Sequence, residues 1–183
     1  LSDLSNSYFN ILNKKFESFK NLKEVILFDF AEKKLKQKYP QMIEKYDSLI
    51  ALNVLEHIDD HRQAIENSLS LIKPGGNLII LVPAFQSLYN QFDKAVEHHR
   101  RYSVKSLQKV MSVPGFEIVQ TRYFNVPGIL GWYVSGKILS KNVIPGGQMG
   151  FYDKLVPVWK IIDRLFGRFF GLSLICIASR TKE

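Results

Sequence analysis

Residues 46–60 read YDSLIALNVLEHIDD. Tyr46 to Asn53 is an apolar run of strand length that ends in a polar turn, a pattern suited to a parallel strand buried on both faces. Asp59 and Asp60 stand where a helix begins, and either side chain can accept from a first-turn N–H. They are not read as a metal pair, because no third ligand follows at matching spacing. His61 to Ile72 carries Ile65, Leu69 and Ile72 on one face of a helix, and Lys73-Pro74-Gly75-Gly76 stops it. Asn77 to Pro83 (NLIILVP) is a second buried strand. Strand, helix and strand in this order predict a parallel α/β sheet.

The same alternation continues in both directions. Residues 8–20 place Phe9, Leu12, Phe16 and Phe19 at helical spacing, and Glu24 to Phe30 (EVILFDF) is a further short strand. Glu32 to Lys38 is a helix ended by Pro40. Downstream, a polar and aromatic connection runs to Tyr102, and Ser103 caps a helix over Val104 to Met111. Phe116 to Phe124 is a strand, Tyr152 to Phe170 is helical around Pro157, and Leu172 to Ser179 is the last strand. The fold class is therefore α/β, a doubly wound, mainly parallel sheet with an antiparallel edge strand. In such sheets ligands bind beyond the carboxyl ends of the strands, which directs attention to Asp29-Phe30, Asn53 to His57 and Pro83 to Phe85.

With 183 residues, 46% hydrophobic and 23% charged, the chain reads as one globular domain over residues 1–183, and that length is expected to be a lower bound. This composition excludes disordered and collagen-like classes. The single cysteine, Cys176, excludes an internal disulfide or a cysteine zinc cluster and predicts a reducing, cytoplasmic setting. A formal charge of +8 permits contact with nucleic acid or anionic membrane. The basic residues are scattered, however, and no Asn-Pro-Pro-Tyr or Asp-Pro-Pro-Tyr sequence follows residue 53, so no stable nucleic-acid complex is expected. LSDLSNSYFN lacks the features of a signal peptide. The longest apolar run, Leu78 to Phe85, falls far short of the roughly 20 residues that span a bilayer. Val126 to Leu139 reads as buried or pocket-lining, with peripheral membrane contact as the lesser alternative.

Three phrases in order, YDSLIALNVLEHIDD (46–60), LIKPGGNLIILVPA (71–84) and FDKAVEHHRRYS (92–103), resemble the class I S-adenosylmethionine-dependent methyltransferases with a Rossmann-like fold. The particular likeness is to the broad bacterial group with a LEHI/LKPGG core and an HHRRY-type segment. EVILFDFAEKKL (24–35) is similar to the family's second strand. The resemblance implies S-adenosylmethionine as cofactor, with Asp29 on the ribose hydroxyls, Phe30 against the adenine, and Asn53, Val54, Leu55 and His57 near the methionine end. A carboxylate suits a vicinal diol because its two oxygens accept two hydrogen bonds. Asp29 could instead simply cap the following helix, and His57 could serve as a structural hydrogen-bonding group.

His98-His99-Arg100-Arg101-Tyr102 admits two readings. Paired guanidiniums suit a phosphate or carboxylate on a substrate, and His98 or His99 could act as a general base. Alternatively the block is a basic face paired with Asp93 or Glu97. Its place beyond a strand end favours the first, with His98 and His99 as catalytic candidates and Tyr89, Arg100, Arg101 and Tyr102 as substrate-binding candidates. Residues 84–103 and 125–151 would be substrate-side insertions. Methyl transfer requires donor and acceptor to be held in line and requires no metal, and no metal site is expected. The expected activity is methylation of a small-molecule, glycan-linked or lipid-linked acceptor. A catalytically silent binding module is the alternative, and a nucleic-acid methyltransferase a weaker one.

The sequence departs from the family at its start. The glycine-rich turn that follows the family's first strand is absent, since no glycine precedes Gly75. Nothing apolar and extended lies between the opening helix and Glu24, so the first strand is missing too, and no third strand is visible between Lys38 and Tyr46. Loss of cofactor binding, a rearranged βαβ unit, or residues missing from the sequence as written would each explain this. The last is expected, with backbone breaks near residues 18–24 and 39–45.

Overall fold

The unit formed by residues 46–83 is the spine of the domain. A computed structural model describes residues 1–3, 5–138, 150 and 153–182. Strand β3 (Tyr46–Leu52), preceded in the chain by β1 (Ser2–Asp3) and β2 (Ile26–Leu27), leads through helix α3 (His61–Leu71) into β4 (Ile72–Pro83). β3 and β4 pair in parallel, with Ala51 opposite Ile80. The sheet continues through β6 (Ser173–Arg180) to β5 (Phe116–Phe124), giving the order β3-β4-β6-β5. β6 runs against both neighbours, so β3, β4 and β5 share one direction and the β5 edge pairs antiparallel. This is the mainly parallel α/β sheet with an antiparallel edge that the sequence predicts.

Alternation along the strands decides what is covered. Ala51, Ile80 and Cys176 lie in one cross-strand row and are at most 6% exposed. They pack against Ala64 and Ile65 of α3 and against Leu107 and Met111 of α5 (Val104–Met111), forming the main core. The opposite face carries Ile50, Ile79 and Ile177 in one row and Leu52, Leu81 and Ile175 in the next. There Ile50 is 61% and Leu52 55% exposed.

The Lys73-Pro74-Gly75-Gly76 turn differs from its expected role. β4 begins at Ile72 and these residues bulge within it, because Tyr46 opposes Ile72 while Ser48 opposes Asn77. Gly75 adopts φ +80°, and a Cβ on Gly76 would sit 2.6 Å from the Asp47 carbonyl. Gly76→Ala is therefore expected to destabilise the domain by about 1–3 kcal/mol in denaturant unfolding.

The opening segment corrects a second expectation. A short first strand is present, for Ser2 and Asp3 pair in parallel with Ile26 and Leu27. α1 (Asn6–Phe16) lies between the two strands, so residues 2–27 form a glycine-free βαβ unit. Two polar residues leave no apolar run to read, which is why the strand was invisible in the sequence. Ser5 N–H donates to Asp3 Oδ1 at 2.8 Å, closing the turn that glycines would otherwise make. Backbone hydrogen bonds run through both of the connections around residues 18–24 and 39–45. Phe19 N–H reaches Phe16 O and Leu22 N–H reaches Phe19 O, while Glu44 and Lys45 N–H donate to Ser70 O and Leu71 O. α2 (Leu35–Lys38) and a single 3-10 turn at Pro40–Met42 occupy the place of the missing third strand.

Candidate functional site

The forward strands β3, β4 and β5 end in sharp reversals at one edge of the sheet. Asn53, Phe85 and Asn125, which follow them, have φ of 52°, 59° and 63°. Left-handed backbone outside glycine is costly and persists where the surroundings impose it. Asn53 N–H is held by Leu81 O at 2.8 Å, and Phe85 N–H by Tyr102 O at 2.9 Å. Phe85 also stacks on Tyr123 at 5.0 Å.

The connection after β4 folds back onto the turn after β3. Ala84 and Tyr102 form a parallel bridge, and His99 N–H donates to Glu56 O at 3.0 Å. That contact joins the Leu55-Glu56-His57 turn to the HHRRY segment. α4 (Gln91–Ala95) begins with a capping box, in which Asn90 N–H donates to Asp93 Oδ2 at 2.9 Å. Asp93 is fully buried and receives His98 Nδ1 and Arg101 Nε, each at 2.8 Å from Oδ1. Burial alone would raise the Asp93 pKa, but the hydrogen bonds from His98, the Asn90 N–H and Arg101 hold it below the ordinary carboxylate value. The carboxylate is therefore ionised, and His98 carries its proton on Nδ1.

Arg101 is buried too. It donates to Ala84 O at 3.1 Å and lies 4.6 Å from the Trp132 ring of α6 (Gly128–Trp132). Tyr102 is 1% exposed; its hydroxyl donates to Leu55 O at 3.2 Å and lies 2.9 Å from His61 Nδ1. Burial pushes its phenol pKa up. Tyr89 donates from its hydroxyl to His98 O at 2.7 Å. Three of the four residues read as substrate-binding thus hold the segment together from within. Arg100 is the one turned outward, donating to Asp59 O at 3.0 Å and to His61 Nδ1 at 2.7 Å. His99 is exposed, with Nδ1 3.4 Å from Asp59 Oδ1, whereas His98 is largely enclosed. The pairing of this block with Asp93 is one that the alternative of a basic face with acidic partners allows.

The cofactor candidates separate in the same way. Asp29 follows β2, and its Oδ1 caps the next turn by accepting from Ala31 N–H at 2.9 Å. Oδ2 takes no hydrogen bond from the described residues. Buried Asn67 of α3 pins that turn, donating to Phe30 O at 2.9 Å and Glu32 O at 3.0 Å. Asn53 and Val54 are exposed, but Leu55 is fully buried in the main core and can offer a ligand only its backbone. An outward carboxylate oxygen after β2 and an exposed strand end after β3 fit S-adenosylmethionine. The turn after β1 offers Ser5, Asn6 and Ser7 in place of glycines, a less close backbone approach.

Glu56 is the residue whose importance the sequence did not disclose. It is fully buried, and neither carboxylate oxygen has a hydrogen-bond partner among the described residues. Burial raises its pKa to about 7. His98 Nε2 lies 3.7 Å from its Oε1, and the His57 ring stands edge-on to His98 at 4.7 Å.

The comparisons with known proteins agree with this architecture. A family model described as a methyltransferase domain matches residues 4–121. Lovastatin nonaketide synthase mokA of Monascus pilosus is 30% identical over 80 residues, which are 44% of this chain and 2% of that far longer protein. Among solved structures, phosphoethanolamine N-methyltransferase 2 of Haemonchus contortus, in complex with S-adenosyl-L-methionine, superposes with a TM-score of 0.59 at 16% identity, over 98% of this chain and 42% of that one. The [4+2]-cyclase SpnF superposes with a TM-score of 0.60 at 16% identity, over 100% and 65%. Identities this low establish a shared fold, and the cyclase illustrates that the fold alone does not dictate the reaction. No helix of the described residues is long and apolar enough to cross a membrane. By its family match, which covers most of the chain, the protein belongs to the methyltransferase-domain family.

Proposed function

We propose that the chain methylates a small-molecule, glycan-linked or lipid-linked acceptor, as a cytoplasmic member of the group with an LEHI/LKPGG core and an HHRRY segment. The observation that carries this reading is the bond from His99 N–H to Glu56 O, which places the HHRRY segment beside the strand end expected to face the methionine moiety. When bound, S-adenosylmethionine supplies an electrophilic methyl group on a sulfonium. Asp29 Oδ2 would accept from a ribose hydroxyl, and Phe30 would lie along the adenine. Asn53, Val54, the Leu55 backbone and His57 would line the methionine end. Arg100 would attract an anionic group on the acceptor, such as a phosphate, and exposed His99 would take a proton where the acceptor must lose one. Asp93, Tyr89, Arg101 and Tyr102 keep those two side chains in place.

Titration with S-adenosylhomocysteine tests the division. Asp29→Ala should weaken binding by about tenfold or more, the equivalent of one or two lost hydrogen bonds to a charged group. Arg100→Ala should bind normally and lose turnover in a labelled-methyl transfer assay against cell-extract fractions. No binding by the parent protein would favour a silent module, and equal loss of affinity in both variants would overturn the assignment of roles.

A further inference from the structure

Glu56, His57 and His98 come together in a way that methyl transfer does not require. One ligand-capable atom from each lies within 4.8 Å of the other two, and this is the one such trio among the described residues. His98 Nδ1 hydrogen-bonds Asp93 Oδ1 at 2.8 Å, so Nε2 is the ring nitrogen turned toward Glu56. Nε2 lies 3.7 Å from Glu56 Oε1, beyond hydrogen-bond reach. Glu56 is fully buried, and both of its oxygens lack a donor. A buried carboxylate and a ring nitrogen that face each other can share a cation, a proton or a metal ion. A buried carboxylate left without either is among the costliest groups a protein can hold.

The donor set discriminates between these cations. Two imidazole nitrogens and a carboxylate are the ligand types of three-coordinate protein zinc sites, in which a fourth position stays open. The Asp93–His98 pair supplies the outer carboxylate that orients a ligating histidine and fixes its tautomer. Donor atoms in a zinc shell of about 2.1 Å radius lie roughly 3.0–3.5 Å apart. The Glu56–His98 separation is already close to this, and a ring nitrogen of exposed His57 lies within 4.8 Å of both. We propose that Glu56, His57 and His98 bind one divalent transition-metal ion of the zinc class, clamping the turn after β3 to the segment after β4. This assignment does not depend on the methylation reading.

The test uses the full chain without S-adenosylmethionine, stripped with chelator and titrated with ZnCl2. One ion per chain is expected, with a rise in the thermal midpoint followed by circular dichroism. Substitution by Co2+ should give visible d–d bands of a nitrogen and oxygen site. Glu56→Gln and His98→Ala should each weaken zinc binding by more than about 100-fold, beyond the 10–100-fold cost of losing an outer-shell partner. His99→Ala, next in sequence but facing Asp59, should retain it. The measurements on the parent protein keep the proposal testable if a variant fails to fold. Absence of stoichiometric zinc and cobalt binding, or affinity unchanged in folded Glu56→Gln, would overturn it and leave a proton as the shared cation.

Discussion

Asp93→Ala is expected to lower the unfolding free energy by about 3–5 kcal/mol, the cost of removing one partner from a buried ion pair. The carboxylate and the Arg101 side chain are at most 1% exposed, and the same oxygen also anchors His98. Removing it takes the ion-pair partner from a buried guanidinium that otherwise meets Ala84 O and the Trp132 ring. It also opens the Asn90 capping box at the start of α4. The comparison that isolates burial is Lys73→Ala. Its pair with Asp47 is just as short at 2.8 Å but solvent-exposed, and loss of such a pair costs about 0–1 kcal/mol. Denaturant unfolding of the two variants should differ by several fold in the change of midpoint. Similar small losses would mean that the Asp93 cluster is hydrated and not sealed.

Leu55→Ala is expected to cost about 2–5 kcal/mol of stability, the range for truncating a buried leucine and leaving a cavity. Leu55 is 0% exposed and packs with Ala64, Ile65, Ile80 and Tyr102 in the main core. Its carbonyl accepts the Tyr102 hydroxyl, so a shift of this turn also loosens the end of the HHRRY segment. The expected signature is a lower unfolding midpoint with S-adenosylhomocysteine affinity little changed well below that midpoint. A large loss of affinity in a variant of unaltered stability would instead place the side chain against the cofactor.

Much of the sheet was legible because burial writes itself into apolar runs. β5 and α5 occupy the residues that the pattern predicts, β3 ends one residue early at Leu52, and β6 is displaced by one. β1 was not legible, since Ser2 and Asp3 reach strand geometry through pairing with Ile26 and Leu27 and not through hydrophobicity. At the site, the sequence singled out the HHRRY segment but could not distribute its roles. Arg100 and Arg101 are adjacent and chemically identical, yet one faces outward and the other is sealed beneath Trp132. Glu56 was overlooked for a related reason. A glutamate in a polar turn reads as exposed, and only the fold-back of residues 84–102 encloses it. The Asn90–Asp93 spacing was the available signal, a capping box whose acidic member is free to turn inward.

The half-covered aliphatic rows of Ile50, Ile79 and Ile177 and of Leu52, Leu81 and Ile175 govern how this protein behaves in the tube. Folded chains will take up polarity-sensitive dyes on that face, so dye fluorescence will start high and report melting poorly. Colloidal stability then rests on mutual repulsion from the net charge of +8. Added salt shortens that repulsion to about 8–10 Å at moderate ionic strength, and self-association should rise with salt rather than fall.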